Sequence, residues 1–302
     1  METTEKSGSK AVNQYAVPVL ITGATGNVGR ELINTLSGQG VRFRAMVRSR
    51  TDAKFFSQLP GGDAVLGDFN DPASLAQALQ GIRKAFLLTP SSKQAEVQQL
   101  HFVEQAQQAG VQHIVKLSQL AADVHSPVRF LRYHAIVEQA IQQSGMAFTF
   151  LRPNLFMQGL LGFRQSIAEQ GEFFAAIGEA RISMIDVRDI AAVAAVVLTQ
   201  AGHEGNVYTL TGPQALSHTD VADQLTTALG HPVQFVDIPP AVMRAELTKA
   251  GFPDWQADGL IEDYAHYARG EAALVSPSVQ EVTGKPPRSF AQFAQDYAPI
   301  FG

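Results

Sequence analysis

The sequence VPVLITGATGNVG, residues 17–29, joins an apolar segment to three glycines at intervals of three residues. Its apolar part predicts a buried strand over residues 17–22, and the apolar spacing that follows predicts a helix over residues 27–36. Glycines at such a turn let the chain bend tightly, let a pyrophosphate approach the backbone, and let helix and strand pack closely. The helix N-terminus adds N–H groups and a positive dipole that attract phosphate.

This segment predicts a dinucleotide-binding loop, because the glycines lie between the first strand and the first helix of an alternating chain. The alternative is a helix start that only packs closely against the sheet. The residues predicted to bind the cofactor here are Gly23, Thr25, Gly26, Asn27, Val28 and Gly29.

Beyond the glycine loop, apolar strands alternate with amphipathic helices. Apolar strands separated by helices are typical of a parallel sheet covered on both faces. The predicted fold class is therefore α/β, a Rossmann doubly wound parallel sheet with a smaller, discontinuous C-terminal α/β substrate domain. The further strands are predicted at residues 43–47, 64–66, 85–88, 113–117, 147–151 and 206–210.

The domain limits are predicted from the point at which this alternation stops. Residues 16–154 form the dinucleotide-binding domain, and residues 185–212, with a buried helix and one further strand, return to it. Residues 155–184 and 213–302 form the substrate-side domain, with no strand predicted within residues 155–174. Residues 1–15 are polar, lack the apolar segment of a signal peptide, and are predicted to be a mobile leader.

The composition excludes several classes of function. The 302 residues include no cysteine, which excludes disulfides, zinc–thiolate sites, iron–sulfur clusters and cysteine nucleophiles, and no metal site is predicted. A formal net charge of −5 indicates no surface for nucleic acid. No apolar run approaches the about 20 residues of a membrane-spanning helix, so a cytoplasmic protein is expected.

The end of the second strand bears on the choice between NAD and NADP. In NAD-binding proteins an acidic residue is expected there, where it binds the ribose 2′-OH. Here the strand ends in Arg48, which is suited to pair with a 2′-phosphate, and Arg30 could add to it. NADP(H) is therefore preferred over NAD(H), unless both are ordinary surface arginines. Asp68, after the third strand, either accepts from the adenine amino group or caps the next helix.

The chain resembles the NmrA-like atypical short-chain dehydrogenases/reductases, and within them the quinone-reductase and triphenylmethane-dye-reductase branch. The resemblance spans nearly all of residues 17–302, and it implies a Rossmann domain that binds NADP(H), with a small C-terminal domain closing over the nicotinamide. It rests on GATGNVG at 23–29, GD at 67–68, HAIVE at 134–138, LRPN at 151–154, IDVRD at 185–189 and YTLTG at 208–212.

The resemblance also implies two catalytic residues, Ser118 and His134, both of which would contact the cofactor as well. Ser118 matches the serine of ordinary short-chain dehydrogenases, while His134 stands where their Tyr-x-x-x-Lys motif has lysine and Phe130 where it has tyrosine. The proton-donating phenol is thus expected to be missing, since Tyr133 points about 100° away on the helix. On spacing alone His134 lies on an apolar helix face and would be a core residue. Glu138 either pairs with His134 or faces solvent.

Further site residues are predicted at the carboxyl edge of the sheet, where ligands bind in this fold class. A Thr-Pro strand end or packing between domains would explain most of them equally well. The predicted cofactor contacts are Thr89, Pro90, Pro153 and Asn154, and the predicted substrate contacts are Phe156, Met157 and Trp255, with Tyr264 and Tyr267 as further lining residues. By contrast, Asp186 and Asp189 are predicted to cap a helix and to form a domain-fixing ion pair.

Together these features predict an NADPH-dependent oxidoreductase that transfers hydride to a conjugated electron-poor acceptor, quinone-like or dye-like, without a Tyr-Lys dyad. Such acceptors yield a delocalised anion or a neutral carbon centre, so they depend less on a proton donor. The alternative is a non-catalytic NADP(H)-binding redox sensor of the NmrA type. The expected partner is a small aromatic acceptor, with no nucleic acid and no membrane, and homodimerisation is left open.

Overall fold

The computed structural model describes residues 18–301. The predicted strand residue 17 and the predicted leader, residues 1–15, lie outside this range. The strands are β1 (Val19–Ile21), β2 (Phe43–Val47), β3 (Gly62–Leu66), β4 (Lys84–Leu87), β5 (His113–Leu117), β6 (Ala147–Pro153), β7 (Glu172–Ala175), β8 (Asn206–Leu210) and β9 (Gln234–Asp237).

Helices connect these strands, and a 3-10 helix (Met157–Phe163) follows β6. The helices are α1 (Asn27–Gly38), α2 (Arg50–Ser57), α3 (Pro72–Leu79), α4 (Ala95–Gln108), α5 (Arg129–Gln143), α6 (Arg164–Gln170), α7 (Val187–Thr199), α8 (His218–Leu229), α9 (Pro240–Lys249), α10 (Asp254–Ala268), α11 (Ser278–Thr283) and α12 (Phe290–Phe301).

The main sheet is parallel and confirms the predicted fold class. Its strand order is β3-β2-β1-β4-β5-β6-β8, which is the Rossmann order 3-2-1-4-5-6 with β8 added beside β6. Three strands, β2, β5 and β8, have the limits predicted from their apolar runs. Because every strand is parallel, their carboxyl ends lie at one edge, where the glycine loop follows β1.

Burial on both faces explains why these strands are apolar throughout. Successive side chains point to opposite faces of a sheet. Ile21 packs in a cluster with α1 and α7, whereas Leu20 packs on the opposite face against α3, α4 and α5. The buried helix predicted before β8 is α7, and it packs directly on α1.

The remaining elements surround a second hydrophobic cluster, built from the 3-10 helix, β7, α8, α10 and α12. The expectation of no strand within residues 155–174 is wrong, because β7 begins at Glu172 and pairs in parallel with β9 as a separate two-stranded sheet. Val279 of α11 packs in the cluster that contains α1 and α7, although residues 213–302 were predicted to lie wholly on the substrate side. The domain limits therefore stay a prediction.

The predicted roles of Asp186 and Asp189 are confirmed. Asp186 caps α7 by accepting from the Arg188 N–H at 2.9 Å, and it pairs with the Arg188 guanidinium. Arg188 also pairs with Asp296 of α12, while Asp189 pairs with Arg288 just before that helix. These ion pairs bind α7, on the main sheet, to the C-terminal helix. No helix within residues 18–301 is long and apolar enough to cross a membrane.

Candidate functional site

The glycine loop has the shape that a pyrophosphate requires. Gly23 has a φ of +62°, and its carbonyl oxygen accepts from the Gly26 N–H at 3.0 Å. A Cβ on Gly29 would lie 2.2 Å from that oxygen, so glycine there lets α1 pack against the end of β1. A Cβ on Gly26 would meet only that oxygen, at 3.4 Å, so the space above Gly26 is open.

The start of α1 is also free to bind an anion. Gly26 is the N-cap residue of α1, and no side chain among the described residues caps the helix there. Thr25 and Asn27, on either side of Gly26, are exposed. Uncapped N–H groups at a helix N-terminus, together with the helix dipole, favour a phosphate. Arg30 instead donates from Nε to the Thr25 carbonyl at 2.9 Å, which holds the loop. The residues present therefore fit a dinucleotide.

Arg48 and Asp68 follow the ends of β2 and β3. Arg48 is exposed and makes no hydrogen bond or ion pair with any other residue in the range 18–301, so its guanidinium is available for a ligand. The Asp68 carboxylate accepts from Asn70, and α3 is capped by Asp71 instead. The helix-cap alternative for Asp68 is therefore wrong, and its cofactor contact stays a prediction.

Thr89 and Ser118 lie buried after β4 and β5. The Thr89 hydroxyl accepts from Gln99 Nε2 at 2.7 Å, whereas the exposed Pro90 follows it at the surface. Ser118 is fixed by its backbone N–H, which donates to Leu151 at 2.7 Å, but its hydroxyl is enclosed and has no partner in the described chain. An enclosed, unpartnered hydroxyl costs free energy, which is typical of a group that meets a ligand.

His134 contacts a buried lysine that the sequence reasoning missed. The Lys116 Nζ of β5 lies 2.8 Å from His134 Nδ1 and donates to the Leu117 carbonyl at 3.1 Å. Burial lowers the pKa of Lys116 to about 7, against the favourable charge of Glu138. Burial first, and then the Lys116 and Arg152 charges, hold the pKa of His134 well below its ordinary value. A lysine inside the apolar run HIVKL was the one available signal.

Glu138 and Tyr133 share helix α5 with His134, and each makes its polar contact with another residue. Glu138 is buried and pairs with Arg152 of β6 at 2.5 Å, so neither predicted alternative, a pair with His134 or a solvent-facing carboxylate, is correct. The Tyr133 ring lies 4.2 Å from the His134 ring, and its hydroxyl lies 3.2 Å from that of Ser91. Burial raises the pKa of Tyr133 to about 12, so it remains a neutral phenol.

Asn154 has a different setting from the one predicted. Its Nδ2 donates to the Ser183 hydroxyl at 2.9 Å and to the Ala272 carbonyl at 2.8 Å, and its Oδ1 accepts from the Leu155 N–H. These bonds use both amide hydrogens within the protein, which leaves the side chain a structural role where β6 leads into the second cluster. Pro153 ends β6, and its carbonyl accepts from the Leu120 N–H at 2.9 Å.

An apolar cavity of about 750 Å³ opens directly after β6. His218, whose Nδ1 is enclosed without a partner in the described chain, lines it, and so does Tyr264, whose ring lies 6.4 Å from the His218 ring. The other polar lining residues are Gln165, Ser166, Glu169, Gln170, Glu246 and Lys249. Burial lowers the pKa of His218 to about 4, so the imidazole is neutral. The apolar lining includes Leu155, Phe156, Leu160, Phe163, Phe173, Phe174, Met184, Met243, Leu247, Phe252 and Leu260.

The residues predicted to meet the substrate divide between this cavity and the core. Phe156 and Tyr264 line the cavity, whereas Met157 and Tyr267 are buried in the second cluster and Trp255 packs elsewhere. The Trp255 ring lies 5.4 Å from that of Phe130, with a guanidinium over it, and therefore joins α10 to α5. Amphipathic spacing cannot separate a cavity wall from a core, because both are apolar.

A buried carboxylate ties the cavity to the loop that carries Ser118. Asp263 accepts from Gln119 Nε2 at 2.8 Å and from the Tyr267 hydroxyl at 3.3 Å, without an ion-pair partner in the described chain. Burial raises the pKa of Asp263 to about 7, against the lowering effect of those two hydrogen bonds. Asp263 precedes Tyr264, so one turn of α10 contacts both the loop and the cavity.

The raised pKa of Asp263 predicts a pH dependence of stability. Between about pH 4 and about pH 7 the folded chain holds on Asp263 a proton that the unfolded chain has lost, so the contribution of Asp263 to the free energy of unfolding falls as pH rises through this window and then levels. Asp263→Asn removes this dependence, and we expect the wild type to lose about 1.4 kcal/mol relative to the variant for each unit of pKa displacement. Urea unfolding from about pH 5 to about pH 8 measures it.

The matched control for this prediction is Asp254→Asn, at the exposed start of the same helix. The unfolding free energy of that variant should follow the wild type across the pH range. If the difference in unfolding free energy between the wild type and Asp263→Asn does not change with pH, the raised pKa of Asp263 is contradicted.

Comparison with known proteins agrees with this geometry. A sequence profile of the NmrA-like family matches residues 17–292. An NAD(P)H azoreductase of Xenophilus azovorans is 39% identical over 284 residues, covering 94% of this chain and 99% of that protein. An NADPH-dependent quinone oxidoreductase of Escherichia coli, solved with NADPH, superposes with a TM-score of 0.84 at 31% identity, covering 92% of this chain and 99% of that one.

A triphenylmethane reductase of a Citrobacter species, solved with NADP(H), superposes with a TM-score of 0.83 at 27% identity, covering 93% of this chain and 99% of the reductase. These relatives span almost the whole chain, and their names describe reductases. The chain therefore belongs to the NmrA-like family and is one of its reductases.

Proposed function

We propose that this reductase uses NADPH to reduce a conjugated, electron-poor aromatic acceptor, such as a quinone, an azo dye or a triphenylmethane dye. The cavity after β6 carries the proposal. It is about 750 Å³ in volume, and aromatic and aliphatic side chains line most of it, which suits a flat aromatic molecule. The names of the similar reductases, which refer to azo compounds, quinones and triphenylmethane, point to acceptors of that shape.

The nucleotide half of the reaction is assigned to the glycine loop. The uncapped start of α1 would hold the pyrophosphate, and the guanidinium of Arg48 would pair with a 2′-phosphate, which supports NADPH over NADH. NADPH, when bound, supplies the hydride. No other group at the site described above has redox chemistry of its own, so the chain's contribution is binding, orientation and exclusion of water.

The acceptor half is assigned to the cavity. Its neutral His218 and the Tyr264 hydroxyl are polar groups beside the aromatic and aliphatic part of the wall, so they would orient a ring through its carbonyl, azo or amine substituent. Phe156 follows β6 by three residues and brings the cavity wall to the carboxyl edge of the sheet. The acceptor would thus lie beside the edge at which the nucleotide binds.

Ser118 and His134 remain the proposed catalytic residues. The unpartnered Ser118 hydroxyl can donate to the acceptor or to the nicotinamide ribose, and His134 faces the same end of β5. We do not expect Tyr133 to act in place of the missing tyrosine, because its hydroxyl contacts Ser91 and its ring packs near Trp255. The absence of a Tyr-Lys dyad fits acceptors whose reduced forms are stabilised by conjugation.

Gly26→Ala tests the nucleotide loop without disturbing the fold. The Cβ fits the protein, with its nearest contact at 3.4 Å, but it enters the space left for the pyrophosphate. We expect the dissociation constant of NADPH to rise about tenfold or more at unchanged stability, as measured by fluorescence titration and urea unfolding. Gly38→Ala, where a Cβ meets nothing within 4 Å, is the control and should bind normally. Unchanged binding by Gly26→Ala would contradict the loop assignment.

Arg48→Ala tests the preference for NADPH. We expect the NADPH dissociation constant to rise about tenfold or more while that of NADH stays the same, because only NADPH carries the 2′-phosphate. Arg83→Ala is the matched control, since Arg83 is exposed at the opposite edge of the sheet, before β4. Equal weakening of both nucleotides would show that Arg48 acts on their common part, and no weakening would show that it does not bind them.

The acceptor assignment is tested by filling the cavity. Gly159 lines the cavity, and a Cβ there has no atom within 4 Å, so Gly159→Leu adds bulk at a position with room for its first side-chain atom. We expect NADPH oxidation by naphthoquinones, azo dyes and triphenylmethane dyes to lose about tenfold or more in kcat/KM, with NADPH affinity retained. Gly38→Leu, far from the cavity at the end of α1, should leave turnover unchanged. NADPH binding without turnover of any acceptor by the wild type would overturn the proposed function.

A further inference from the structure

A fully buried ammonium lies behind His134. Lys116 is the fourth residue of β5, shares with Ile114 the sheet face covered by α4 and α5, and has none of its surface exposed (0%). An enclosed ammonium costs free energy that an apolar side chain of similar length would not. Its Nζ makes two hydrogen bonds within residues 18–301, to the Leu117 carbonyl at 3.1 Å and to His134 Nδ1 at 2.8 Å.

The direction of the second bond fixes the state of the imidazole. While Lys116 is protonated, its ammonium has donors and no acceptor, so His134 Nδ1 accepts from it. Burial and the neighbouring charges keep the pKa of His134 well below its ordinary value, and the ring is therefore neutral. A neutral imidazole that accepts at Nδ1 carries its proton at Nε2.

The Nε2 atom is the part of His134 that remains available. It has no hydrogen-bond partner in the described chain, yet it is not among the enclosed unpartnered atoms, and the residue keeps 9% of its surface exposed. Ser118 directly follows β5, two residues after Lys116, and its hydroxyl is also unpartnered in the described chain. Two unpaired polar groups thus lie on residues that contact or follow the end of β5, at the edge assigned to the reaction.

We propose that Lys116 is a positioning residue that holds His134 in the Nε2–H tautomer and replaces the proton that Nε2 gives to the reduced acceptor. This inference rests on the proposed function. The acceptor gains a hydride from NADPH and a proton from Nε2; as that N–H bond breaks, a proton passes from Lys116 Nζ to Nδ1. His134 stays neutral and Lys116 becomes an amine. The site is then reset: Nε2 takes up a proton from solvent, and the proton on Nδ1 passes back to Lys116.

The charges around Lys116 suit this exchange. Glu138 of α5 and Arg152 of β6 face it and pair with each other at 2.5 Å, so the site holds one uncompensated cation when Lys116 is protonated. Burial brings the pKa of Lys116 to about 7, where an amine can lend and regain a proton near neutral pH. Tyr133, whose ring packs on His134, keeps its proton because burial raises its pKa to about 12.

The tautomer can be measured without turnover. Nucleotide-free protein labelled with ¹⁵N-histidine would give long-range ¹H–¹⁵N correlations that identify which ring nitrogen of His134 is protonated, with assignment from His134→Gln. We expect a neutral ring with the proton on Nε2. A proton on Nδ1, or an imidazolium near neutral pH, in the wild type would overturn the proposal whatever the activity measurements show.

Two variants separate positioning from proton supply. Lys116→Met removes the donor and should give a mixture of tautomers and about a tenfold or greater loss of kcat, with the NADPH dissociation constant unchanged. In Lys116→Gln an amide N–H can replace the donor, so the Nε2–H tautomer should return while kcat recovers only in part, because an amide cannot lend its proton. Lys84→Met, on β4 with a partly exposed side chain, is the control for loss of a strand lysine.

The outcomes distinguish this inference from the function on which it rests. A His134 spectrum that Lys116→Met leaves unchanged would overturn the positioning role, even if the wild type reduces quinones rapidly. In a second outcome, the tautomer shifts in Lys116→Met and returns in Lys116→Gln, but the wild type reduces no acceptor. That result would support the positioning role and overturn the proposed function instead. If Lys116→Met does not fold, the wild-type spectrum and Lys116→Gln decide the question.

Discussion

The contact between the first turn of α1 and the end of β1 determines the rest of the structure. A Cβ at position 29 would lie 2.2 Å from the Gly23 carbonyl oxygen, so α1 reaches its place on the sheet only because Gly29 has none. From there α1 packs on α7, and Asp186 at the start of α7 is held by Arg188, which also binds Asp296 on α12. One close contact thus aligns the phosphate-binding helix start and, through α7, fixes the C-terminal helix.

The fold could be predicted where its signals are local. Runs such as the one at β5 are apolar because both sheet faces are covered, and the turn glycines are required by the local backbone, so the seven parallel strands were found from sequence. The pair β7 and β9 was missed because it has no comparable local signal. Each strand has four residues, and Phe173 pairs with Phe235, far along the chain, so no periodic pattern marks either one.

The site could be predicted only in part, because its chemistry depends on side chains from different elements. The glycine loop and Arg48 follow from position in the sequence. The hydrogen-bond partners of Asn154, Ser183 and the Ala272 carbonyl, could not be foreseen because they lie in other segments, and the partner of Glu138 could not because Arg152 comes from a neighbouring strand. Lys116 did leave a visible signal, a charge inside an apolar strand, which should be taken as a site candidate whenever a histidine of the next helix can face it.

The energetic cost of the site indicates where its specificity resides. Ser118 keeps an enclosed hydroxyl unpaired, Lys116 keeps an ammonium in the core, and Asp263 keeps a carboxyl with a pKa of about 7, all beside the carboxyl ends of β5 and β6. Folding alone would favour apolar residues at these positions. Because Asp263 binds the loop through Gln119 and precedes Tyr264 in the cavity wall, the groups that bear this cost connect the reaction edge to the cavity. The fold therefore supplies rigidity, and these buried polar groups are the ones that connect the proposed reaction edge to the cavity.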